Sequence, residues 1–178
     1  MRESGVFVRP VDVFPGLVVD VGAGSGWESL NSAVGLRVWI CRTDPFIDEF
    51  CANAVLTMHR VEAVLDPGEV FAMLVDQQVL GVPGCREVHR SLVAASEGPG
   101  AVGSLVMAIN HELGTIDGVS TARIMTNEEE TLIAQLTVTA LRDSPVERDG
   151  VWLTVQAAAV DHRGVAPTVQ ERGVADVR

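Results

Sequence analysis

The chain has 178 residues, 47% of them apolar, and a mean hydropathy of +0.26, enough for one ordinary core and too little for two. Its net charge is −11, and all the basic residues are Arg, with no cluster among them; nucleic acid and anionic lipid both reward clustered cations, so neither is expected as a partner. No stretch approaches ~20 uninterrupted apolar residues, and Met1 to Pro10 lacks the apolar core and cleavage site of an export signal, so no membrane span is expected and the chain reads as cytoplasmic.

Leu17 to Val21 is a short β-branched run ending in Gly22, Gly24 and Gly26, which predicts a strand leading into a turn. A second strand is predicted over Leu36 to Arg42, stopped by Asp44 and Pro45, and a third over Ala54 to Glu62, where Val55, Thr57, His59 and Val61 alternate with Leu56, Met58 and Arg60. Asp66-Pro67-Gly68-Glu69 then supplies a cap, a proline suited to the first helical position and an acid at the capping-box position. The helix it opens should run to about Leu80 and turn Val70, Phe71, Leu74 and Val75 inward.

Cys85 to Ala95 returns as a strand, followed by an antiparallel meander over Val102 to Leu113, Val119 to Met125 and Thr131 to Leu141. The polar connections Thr115 to Gly118 and Asn127 to Glu130 are assigned to its hairpins. Val151 to Val160 carries both strand and helix signals and leans to strand. Gly, Pro and charged residues dominate from His162 onward, so a single α+β domain is expected over residues 1–160, with 161–178 as a flexible tail. So much apolar content beside so much charge calls for a sheet covered on both faces, or for an oligomer.

The most prominent motif is Leu17-Val18-Val19-Asp20-Val21-Gly22-Ala23-Gly24-Ser25-Gly26. It looks like the first motif of class I methyltransferases that bind S-adenosylmethionine, in which glycines bring a strand-to-helix turn close to the cofactor. On that reading Gly22, Gly24 and Gly26 would line the cofactor and Asp44 would hold its ribose. The surroundings oppose it, since too few residues for a helix separate Trp27 from Gly35 and the later elements read as antiparallel strands. No cofactor is therefore assigned.

His59, His89 and His111 all fall on predicted strands, but their parities differ, and no metal site is assigned. Cys41, Cys51 and Cys85 show no close zinc spacing and read as buried free thiols; a Cys41–Cys51 bridge remains open as the alternative in an oxidising compartment. Asp44, Asp48 and Glu49, and Glu128, Glu129 and Glu130, read as solvated loop acids. With no Gly-x-Ser-x-Gly elbow, no catalytic residue is assigned and the chain is not expected to be an enzyme.

Val19-Asp20-Val21, the Gly26-Trp27 pair, the strand from Ala54 to Glu62, the Asp66-capped helix and the meander from Ala101 to Leu141 together resemble the LpqN/LpqT-type family of actinobacterial lipoproteins over roughly Val13 to Leu141. The resemblance implies a PsbP-like α/β/α sandwich and a non-enzymatic binding or assembly role, served by a protein partner or a homo-oligomer. The family carries no agreed enzymatic site, so it lends no functional residues. Trp27, Trp39 and Trp152 are the candidate partner surface, because aromatic side chains concentrate interface energy.

Overall fold

The computed structural model describes residues 6–159. Its chain order is β1 (Val8–Pro10), β2 (Leu17–Ala23), β3 (Trp27–Ser29), β4 (Leu36–Cys41), β5 (Asn53–Val61), α1 (Pro67–Gly81), β6 (Cys85–Ala94), β7 (Ala101–His111), β8 (Gly114–Thr126), β9 (Thr131–Leu141) and β10 (Val151–Ala157). The expected tail at 161–178 lies outside the described residues.

Eight strands form one antiparallel sheet in the order β3-β4-β5-β9-β8-β7-β6, with β1 pairing β5 end to end with β4. β2 and β10 form a separate two-stranded antiparallel ribbon. The fold is therefore α+β, built on an antiparallel sheet, as the alternating runs of the sequence predict. Among the described residues α1 covers one face, and the opposite layer is this ribbon rather than a helix.

The pleat sorts the core. Along β9, Leu132, Ala134, Leu136 and Val138 point toward the ribbon, where Phe14, Trp39, Leu56, Met58, Val151 and Val155 complete one buried cluster. Ile133, on the other parity, joins Leu105, Met107, Ala122 and Ile124 beneath α1. The helix buries Val70, Phe71, Leu74 and Val75, the four positions the 3.6-residue period selects. Asp66 caps it, accepting the Glu69 N–H at 3.1 Å.

Beyond the apolar contact with α1, the same face turns polar. Gln78 Nε2 donates to Thr137 Oγ1 at 2.9 Å, and Gln135 Nε2 donates to Ser120 Oγ at 3.0 Å. The second connection also departs from its solvated reading at one position: Glu130 is 7% exposed and accepts from Arg60 Nε, while Glu128 and Glu129 stay in solvent.

The hairpin assigned to Thr115 to Gly118 lies elsewhere. These residues are strand, and the turn is at Glu112 and Leu113, with His111 paired to Gly114. Polar residues on a strand mimicked a turn because Thr115 and Asp117 alternate with Ile116 and Gly118, one set facing each side of the sheet.

The Phe71 ring lies directly against Gly103 on β7, so that a Cβ there would overlap its ring carbons. Gly103→Val should therefore push α1 off the sheet and cost about 1–3 kcal/mol, read as a lowered urea midpoint with unchanged slope. An unchanged midpoint would contradict this packing.

Candidate functional site

The glycine stretch builds a strand turn and not a cofactor loop. Gly22 closes β2 opposite Trp152 of β10, and the Trp152 ring occupies the space a side chain at 22 would need. Gly26 takes a positive φ of 87° in the turn to β3, whose first residue Trp27 pairs with Cys41 of β4. The stretch thus leads into a strand, β3, and not into a helix whose N-terminus would receive a nucleotide as the methyltransferase-like reading of Gly22, Gly24 and Gly26 needs.

Asp44 is likewise committed to structure. It is 2% exposed, and its Oδ1 accepts the Phe46 N–H at 3.0 Å and the Ser144 hydroxyl at 2.9 Å, while Oδ2 accepts the Ala52 N–H at 2.8 Å. Three donors converge on one carboxylate and tie the β4–β5 connection to the segment after β9. No oxygen is left turned toward a ligand.

The three tryptophans occupy different environments. Trp39 is 6% exposed in the core beneath the ribbon, with the Arg37 guanidinium 5.4 Å from its ring centroid. Burial removes it from any contact surface. Trp27 is half-buried, its indole Nε1 close to Gly150, and Trp152 is 50% exposed on the outer face of the ribbon. His59 and His89 sit on opposite faces of the sheet, and His111 Nδ1 accepts the Leu113 N–H at 3.2 Å at the end of β7. Among the described residues no three His, Cys, Asp or Glu side chains gather as metal ligands. All three cysteines are free thiols, and burial holds the Cys51 and Cys85 pKa above the ordinary thiol value, which opposes nucleophilic use.

Among the concave features of the described surface is a groove that motif reading did not reach. The ribbon stops at β10, and past its edge the inward face of β8 lies open. Val119, Leu136 and Val138 form an apolar floor, the 145–149 segment closes one end, and the cavity measures about 680 Å³. That size and lining suit a bound ligand or a partner segment. Thr121 and Leu153 also line a smaller hollow of about 220 Å³ that holds Arg123, so the two are neighbours.

Arg123 is the unusual group. It is 6% exposed, its Nη2 donates to the carbonyls of Glu97 at 3.1 Å and Pro99 at 2.6 Å, and its buried Nε has no hydrogen-bond partner. No carboxylate among the described residues comes within ion-pair distance. Burial lowers its pKa from the ordinary guanidinium value. At the groove's far end, Glu147 and Asp149 are exposed acids, and Arg148 turns inward to the carbonyls of Leu141, Ser144 and Val146.

Asp44→Asn tests the structural assignment. An amide cannot accept all three donors, so the substitution should cost about 1–3 kcal/mol of stability in urea unfolding. Full stability in the variant would contradict it.

The fold is similar to that of LpqN of Mycobacterium tuberculosis, a protein involved in cell envelope biogenesis, with a TM-score of 0.63 and 16% identity over 80% of this chain and 83% of that one. A protein of unknown function from Pseudomonas aeruginosa aligns with a TM-score of 0.38 and 12% identity over 77% of this chain and 83% of that one, too weakly to support an argument. No family model matches the sequence, and no curated protein matches it. At such low identity the likeness to LpqN concerns the fold: this chain has an LpqN-like antiparallel α+β architecture.

Proposed function

We propose that the chain is a non-enzymatic binding or assembly protein whose contact surface is the groove along β10. The observation that carries this reading is the unfinished second layer. Two strands cover a sheet of eight, and where they stop an apolar floor with half-buried Val119 and Thr121 is left beside an unpaired strand edge. A concave surface of mixed polarity beside an unpaired strand edge is the kind of place where a partner segment can add.

The residues with catalytic potential support the same reading by where they are spent. Asp44 is consumed in holding two connections together, and the free thiols are raised in pKa. Trp152 and Trp27 flank the ribbon near the groove and would enlarge the contact.

Val119→Arg is the direct test, because the substitution places a charge on the groove floor at a half-buried position and leaves the core clusters intact. Wild-type protein should co-purify from its native host with a stable partner, or self-associate at micromolar concentration in light scattering. The variant should lose that association while keeping its circular dichroism. An association indifferent to Val119→Arg, or none at all, would contradict the proposal.

A further inference from the structure

The proposed binding role leaves the chemistry of the occupant open, and the groove's own polarity narrows it. In the ribbon, the Gly24 N–H donates to the Gly150 carbonyl at 2.8 Å and the Ala158 N–H donates to the Gly16 carbonyl at 2.9 Å. Both belong to the same register of an antiparallel ladder, whose hydrogen-bonded pairs alternate. Trp152, Thr154 and Gln156 therefore bond to β2, and the N–H and C=O groups of Val151, Leu153 and Val155 point the other way, into the groove. Gly98 of the β6–β7 connection lies against the Val155 carbonyl. Leu153 and Val151 keep a bare strand edge above the floor of β8 and β9.

That edge has a cation at one end and anions at the other. Arg123 lies beside Leu153 and Val155, and Glu147 and Asp149 lie beside Val151. From Asp149 to Leu153 the bare edge spans about 13 Å at the rise of an extended chain, and Arg123 lies beyond its far end. A buried guanidinium with an idle Nε and no counter-ion is costly, and a carboxylate or other oxyanion is the group that offsets the cost. Glu97 lines the same hollow with an exposed side chain, yet its carboxylate stays beyond ion-pair distance.

We infer that the groove binds an extended peptide segment of about six residues that pairs with the free edge of β10 and presents a carboxylate to Arg123. This rests on the reading of the groove as a contact surface. The added strand would continue the ribbon over β8, placing alternate side chains on Val119 and Thr121, and a basic residue at its other end would meet Glu147 and Asp149. Backbone pairing supplies affinity and the two charged ends supply direction.

The test uses fluorescein-labelled hexapeptides of alternating valine and threonine with an aspartate at one end and an arginine at the other, made in both chain directions and titrated against the full chain by fluorescence anisotropy. One direction should bind, and replacing its aspartate by asparagine should weaken binding by about tenfold or more, the worth of a hydrogen bond to a charged partner. That comparison needs no protein variant. Arg123→Gln should remove the preference for aspartate over asparagine. Leu153→Pro, which strips an edge N–H that β2 does not use, should abolish binding while keeping the fold by circular dichroism. Equal affinity for the aspartate and asparagine peptides, or binding of neither at millimolar concentration, would overturn the inference. So would complete competition by acetate alone, which would mark a small-anion site.

The two levels separate cleanly. A native partner lost in Val119→Arg, together with peptides that fail to bind, retires the peptide and keeps the contact surface. A partner indifferent to Val119→Arg retires both.

Discussion

The pairing of β5 with β9 is the constraint on which the rest of the molecule depends. These strands match in register over nine residues, from Asn53 with Thr139 to Val61 with Thr131, and they sit mid-sheet with a buried layer on each side. The register decides which side each side chain serves. A shift by one residue would turn Leu56, Met58, Leu132 and Leu136 away from the ribbon and set Thr57, Gln135 and Thr137 in their place. Buried polar anchors resist that shift: the Thr131 hydroxyl donates to the Ala63 carbonyl at 2.9 Å and accepts the Leu65 N–H at 3.0 Å, and Arg60 pairs with Glu130 at the same end.

From that centre the two faces diverge. On one, α1 packs across β6, β7 and β8 and seats Phe71 on Gly103. On the other, the β2–β10 ribbon covers only part of the sheet. Two strands make a marginal layer when alone, and here Val19, Val21, Val151 and Val155 hold the ribbon by packing onto the sheet. The groove is the direct consequence of where that layer ends.

Much of this was legible in the sequence where local chemistry and burial agree. Strict alternation from Thr131 to Leu141 marked the central strand, and Asp66-Pro67-Gly68-Glu69 marked the helix start, because both signals act within a few residues. The expectation failed where the deciding partner lies on another strand. Thr115 to Gly118 looked like a turn but pairs with Met107 to Asn110 of β7, and Glu130 looked solvated but meets Arg60, seventy positions earlier. Gly22 carried the pattern of a nucleotide loop, and its need for an absent side chain comes from Trp152. The groove was illegible for the same reason: Arg123 is an ordinary strand residue until the 95–100 segment and β10 fold over it, and no local pattern announces an unpartnered Nε.

Amide hydrogen exchange of the isolated chain, resolved residue by residue along β10, tests the central claim that the second layer ends at an open strand edge. Alternation is expected: slow exchange at Trp152 and Thr154, whose N–H groups bond to β2, and fast exchange at Val151 and Leu153. Uniform protection of all four amides would contradict it, since another part of the molecule would then already occupy the edge and close the groove.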